Sequence, residues 1–320
     1  MKDTMSRILD HFSGIEHLIR RKLSFIVLPG FDGVALYDVM DFFFRGLFKG
    51  VLNYRASAIA YNFFLALIPL VLFLFTLIPY VTSNDLQGTL LDLMDKMIPA
   101  SVFSMIKPTI VEIVSRPHSG LLSIGFFMTI YFSTNGIDAI IDGFNQSYHR
   151  METWPWWRQK LNSFILMFLI SFLVMIAMIL LTTGKFTIDI LDEYQIISGF
   201  GIKVILTIVQ WVIIAGSILL GVSVLYYFGL KKDRTRRYRF FSAGSILATA
   251  LFILGGYSLK IYFENFSNYN VLFGSLGSLI ILLVWLYYNS FIILIGFELN
   301  ASIRRSKNVT KARNRRLYEI

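Results

Sequence analysis

Asn135, Asp138, Asp142 and Asn145 fall at i, i+3, i+7 and i+10, which places all four on one face of a helix. The segment before them, 119–137, contains no Asp, Glu, Lys, Arg or His. Two other apolar segments end in polar groups of the same kind. One begins at Arg55 and carries Asn62 two turns further in; the other holds Asn289 and ends in Glu298 and Asn300. Charged groups are costly inside a bilayer and mark substrate paths, proton relays or structural pairs. Carboxylates gathered with one arginine at one level would make a gated polar pocket or a proton relay. The same residues also suit helix-end capping and mutual pairing.

Signatures of other chemistry are missing. The four histidines (His11, His17, His118 and His149) lie outside the apolar segments and lack metal-ligand spacing. There is no GxSxG and no phosphate-binding glycine loop. The chain has no cysteine, so disulfides, thiolate catalysis and cysteine metal sites are excluded. The expectation is a protein that is not an enzyme and needs no cofactor or metal.

Six elements must position the polar residues. Segments 56–84, 119–137, 161–184, 204–230, 240–259 and 265–297 are long, apolar and free of charge. A helix needs about 20 apolar residues to cross a hydrocarbon core of about 30 Å. Hydrophobic residues make up 56% of the chain and charged residues 16%, far from the balance of a soluble domain. The expected fold is an all-α membrane protein: a bundle of six transmembrane helices with amphipathic interfacial helices. Its spans fall at about 57–82, 119–141, 161–184, 204–230, 240–259 and 271–297 within a membrane domain 51–302. A cytoplasmic segment 1–50 precedes the domain and a basic tail 303–320 follows it.

The net charge of +10 is a matter of topology. Lys and Arg number 8 in 1–55, 3 in 142–160, 6 in 231–239 and 7 in 298–320, against 3 in 85–118, 2 in 185–203 and 1 in 260–264. A split of 24 to 6 that alternates with the loops puts both termini in the cytoplasm. Nucleic acid is therefore not an expected partner; the bilayer is, with anionic lipid at the basic loops. The first 22 residues have no apolar core beside a cleavage site, so the first span is expected to act as an uncleaved anchor.

Smaller features refine the picture. In 34–49, phenylalanines alternate with charges, as in a helix lying in the interface. Leucines and methionines recur at helical spacing in 85–118, which suggests short outer helices. Trp154, Trp156 and Trp157 suit the headgroup level. Pro69 should kink its span, and Gly255, Gly256, Gly274 and Gly277 should allow close helix packing or a hinge.

Three segments carry a family resemblance: RASAIAYNFFLALIPLVLFLFTLIPY from Arg55, GFNQSY from Gly143, and the final span with Gly274, Gly277, Trp285, Tyr287, Gly296, Glu298 and Asn300. Together they resemble the YihY / virulence factor BrkB family of bacterial inner-membrane proteins, over roughly residues 45–302. Departures fall at Ala66, where serine is frequent, at Phe297, where alanine is usual, and at Phe228-Gly229-Leu230, where a proline is missing. The resemblance implies a multi-pass protein of the inner membrane and leaves its activity open. The ribonuclease label that members have carried finds no metal-binding carboxylate cluster here. The leading expectation is a transporter or lipid-translocating protein, since charges in the membrane are so few. The alternatives are a membrane scaffold or envelope-assembly factor and, less favoured, an intramembrane enzyme.

Overall fold

The computed structural model describes residues 26–28, 30–49, 51–81, 119–148, 153–193, 200–231, 239–265 and 275–318. The expected outer helices in 85–118, the polar N-terminal segment, most of loop 231–239 and Gly274 lie outside the described residues. The described residues form seven helices and no strand: α1 (Leu36–Lys49), α2 (Leu52–Val81), α3 (Ser119–Asn145), α4 (Trp156–Glu193), α5 (Phe200–Phe228), α6 (Ala243–Asn265) and α7 (Ser275–Tyr318).

Five apolar stretches are long enough to cross a membrane: Leu52–Leu77, Ser119–Asn145, Trp156–Thr182, Leu206–Phe228 and Leu279–Thr310. In α6 the apolar run is shorter, Ala243–Leu259, and stops where Lys260 enters the sequence. Helix α7 outruns its apolar core. The charged tail, read as a separate segment from 303, continues α7 as one helix of 44 residues. Arg304, Arg305, Lys307 and Lys311 interrupt neither the helix nor its backbone bonding, because both residue types favour helices.

Each of α2 to α6 packs on the next helix in the chain, and α7 returns to pack on α2. The six helices thus close a ring. Its basic end gathers the starts of α2, α4 and α6, the ends of α3 and α5, and the exit of α7. Helix α1 lies beside that end. Phe31, Val34, Val39 and Phe43 pack against Leu299 and Ile303 of α7, while Phe44 and Phe48 stack on each other on the exposed face. The helix begins two residues inside the expected 34–49.

The main core also sits at the basic end. Phe144 of α3 stacks on Phe297 of α7 with ring centroids 4.1 Å apart, and Tyr226 of α5 meets both edge-on. Alternate helices of a ring meet only at its axis, so these three aromatic rings plug the centre. Ile59, Ile140, Ile141, Leu166 and Leu294 pack around them. Burial falls away toward the other end. No described side chain is buried in 170–182 of α4, 206–221 of α5 or 279–285 of α7. Only α2 and α3 stay tightly apposed there, where a Cβ on Gly125 would lie 3.2 Å from the Phe73 backbone. Pro69 is buried within α2, which runs unbroken through it.

Candidate functional site

The polar residues singled out in the sequence fall into three sets around the plug. The first is built on a helix end. Just past the end of α3 the amide of Ser147 donates to Phe144 O, so the Gly143 carbonyl loses its usual helical donor. Arg55, in the first turn of α2, takes its place: Nη1 donates to Gly143 O at 2.8 Å. The same guanidinium reaches α7, where Nη2 donates to Glu298 Oε1 at 2.6 Å. Ser147 Oγ donates to Glu298 Oε2 at 2.9 Å. Side-chain exposure is 3% for Arg55 and 0% for Glu298, so this ion pair is dry. Such a pair adds little net stability, yet removing one partner costs about 3–5 kcal/mol because the other charge stays buried. Arg55 Nε is buried and has no hydrogen-bond partner among the described residues.

The second set is the one-faced array on α3. It meets three side chains at the start of α4, which antiparallel packing brings alongside. Lys160 Nζ donates to Asp138 Oδ2 at 2.9 Å and to Asn135 Oδ1 at 2.6 Å. Ser163 Oγ donates to Asp138 Oδ1 at 2.9 Å. Gln159 Nε2 donates to Asp142 and to Asp138, while Gln159 Oε1 accepts from Asn145 Nδ2 at 3.0 Å. One glutamine amide thus serves three members of the array. The result is a polar seam that joins α3 to α4, part-buried at Asp138 and open to solvent at Asp142.

The third set caps α6. Asn300 Oδ1 accepts from the Gly244 amide at 2.8 Å, and its Nδ2 donates to Ser242 Oγ at 2.9 Å. Ser242 Oγ also accepts from the Ser245 amide, so the Gly244 and Ser245 amides in the first turn of α6 are satisfied. Asn62 belongs to none of these sets, since its Nδ2 donates back to Ala58 O within α2. Asn289 does the same to Trp285 O.

The first polar set and the plug share chain neighbours. Gly143 precedes Phe144, and Glu298 follows Phe297. Close packing supports both: a Cβ on Gly296 would sit 2.5 Å from Tyr226 Oη and 2.6 Å from Gly244 O. Gly255 presses on Tyr288, whereas Gly256 faces open space. Gly277 lies in the first turn of α7. At the mouth of the seam, Trp156 and Trp157 are exposed and Arg158 lies over the Trp157 ring.

Sequence comparison places this architecture. The family profile for virulence factor BrkB matches residues 43–318, which covers α2 to α7 and all three polar sets. The chain belongs to the virulence factor BrkB family. Similar proteins include the ribonuclease-like protein YfkH of Bacillus subtilis, 26% identical over 257 residues, with 80% of this chain and 91% of that protein covered. A UPF0761 membrane protein of Psychromonas ingrahamii is 23% identical over 287 residues, covering 86% and 92%. Another from Coxiella burnetii is 26% identical over 269 residues, covering 76% and 84%. No solved structure matches. With five helices apolar enough to span a bilayer and relatives of this kind, it is a multi-pass membrane protein.

Phe297, one of the positions noted above as a departure from the resemblance, is half of the stacked pair at the plug. Sequence reasoning had no signal for Phe144, Tyr226 or Phe297 as a unit, nor for Gln159, Lys160 and Ser163 as partners of the α3 array.

Proposed function

We propose that this protein translocates a lipid or a similar amphiphile across the bacterial inner membrane, without enzymatic chemistry. The carrying observation is the asymmetry of the ring. Its basic end is sealed by an aromatic plug and a dry ion pair, while in its other half the described stretches 170–182, 206–221 and 279–285 bury no side chain. Apolar residues dominate that half, which suits acyl chains better than a hydrated solute. In this reading all six ring helices span the bilayer; α6, at 23 residues and about 1.5 Å per residue, is long enough. Both termini and loops 142–160 and 231–239 face the cytoplasm, so the vestibule opens toward the outer leaflet.

The test is reconstitution of the purified protein into liposomes that carry a fluorescent phospholipid in both leaflets. Faster loss of inner-leaflet fluorescence to an impermeant quencher, relative to protein-free vesicles, is the expected outcome. No acceleration by monodisperse, correctly inserted protein would refute translocation and turn attention to a scaffold role, for which the basic extension of α7 is the natural contact.

A further inference from the structure

The Arg55 guanidinium is only partly engaged. A carboxylate and a guanidinium ordinarily meet through two parallel hydrogen bonds, but here Glu298 uses one oxygen on Nη2 and gives the other to Ser147. Nη1 is spent on the Gly143 carbonyl, and Nε, which is fully buried, has no acceptor among the described residues. An unmet buried donor is expensive, and more so on a charged group. The Nε–Nη2 edge is also the edge that fits two oxygens of a phosphate. Glu298 already occupies half of it.

We propose that Arg55 is a headgroup-recognition residue at the sealed, basic end of the ring, and that it takes a phosphate-bearing lipid headgroup from the cytoplasmic leaflet on its Nε–Nη2 edge in exchange for Glu298. The proposal rests on the amphiphile-translocating reading and names its substrate class. Phosphate supplies the missing acceptor for Nε and replaces Glu298 on Nη2, so two charge-assisted bonds stand where one stood. Release of Glu298 acts directly on its neighbour Phe297 and hence on the stack with Phe144. The exchange therefore connects headgroup arrival to opening of the plug. Glu298 keeps a hydrogen-bond donor in Ser147 throughout, which lowers the cost of losing the arginine.

The experiment is a binding titration on the purified full chain in neutral detergent, using short-chain phosphatidic acid, the matching diacylglycerol, and glycerol phosphate. The wild-type protein should prefer phosphatidic acid to diacylglycerol by about tenfold, the scale of one charge-assisted hydrogen bond. The double variant Arg55→Gln with Glu298→Gln leaves no orphaned charge. It should bind both lipids equally while keeping its diacylglycerol affinity, with folding checked by its unfolding midpoint. An undiminished preference for phosphatidic acid in that variant overturns the proposal. Glycerol phosphate competing as strongly as phosphatidic acid overturns the lipid assignment in favour of a soluble phosphate ligand. No transport is measured, so a failed liposome assay leaves this result standing, and loss of Arg55 dependence leaves the liposome assay untouched.

Discussion

Gly296 sits where three helices converge, and replacing it with alanine tests the packing directly. The new Cβ would stand 2.5 Å from Tyr226 Oη, 2.6 Å from Gly244 O and 2.8 Å from Ala248 Cβ. Ordinary carbon contacts lie at about 3.5–4.0 Å. Helix α7 must therefore move back from α6, and either it also moves back from α5 or Tyr226 swings away and loses its 2.6 Å bond to Ile293 O. Overpacking of a tight core costs about 1–3 kcal/mol. An unsatisfied buried hydroxyl adds about 1–3 kcal/mol more. The expected loss is thus about 2–6 kcal/mol, read as a lowered midpoint on titrating the detergent-purified protein with sodium dodecyl sulfate. Gly256→Ala is the control, because nothing lies within 4 Å of its Cβ position. Tyr226→Phe should recover part of the loss in Gly296→Ala, since it removes the nearest clashing atom. Equal midpoints for Gly296→Ala and Gly256→Ala, or no recovery with Tyr226→Phe, would refute the close-contact argument.

Removing the α6 cap with Asn300→Ala should cost about 1 kcal/mol by the same titration, and Asn300→Asp, which keeps the acceptor for the Gly244 amide, should recover most of it. Lys160→Met leaves Asp138 without its cation and should destabilise the seam, whereas Lys160→Met with Asp138→Asn should be milder; a double-variant loss equal to the sum of the two single losses would show the two side chains to be uncoupled. The absence of native cysteine permits a clean topology test. Cysteines placed at Asn84 and Gln195 should react with an impermeant reagent from outside the cell and one at Thr235 should not; outside labelling at 235 would falsify the arrangement.

What the sequence disclosed was the solvent and the spacing. Long uncharged runs and the basic loops announce membrane helices, because the bilayer penalises every exception. The face shared by Asn135, Asp138, Asp142 and Asn145 was legible for the same reason, since helical pitch alone places them. Their partners were not. Gln159, Lys160 and Ser163 look like any polar entry to a span, and only antiparallel packing brings them alongside. Nor does spacing connect Arg55 to Glu298, which are 243 positions apart. The plug is hidden more deeply still, because a chain with 30 phenylalanines offers no local sign of which ones face the axis.

The distance between Arg55 and Glu298 along the chain also orders events at birth. Arg55 belongs to the first helix of the ring and Glu298 to the last. At ribosomal rates of about 5–20 residues per second, the arginine waits roughly 12–50 s for its carboxylate. Throughout that interval Arg55 must stay hydrated at the membrane surface, which its place in the first turn of α2 allows. Arrival of α7 then supplies the carboxylate, the Phe297 ring and the contact with α2 together. A nascent chain missing that final helix has an open ring and an unpaired cation, two features by which membrane quality control can tell an unfinished molecule from a finished one.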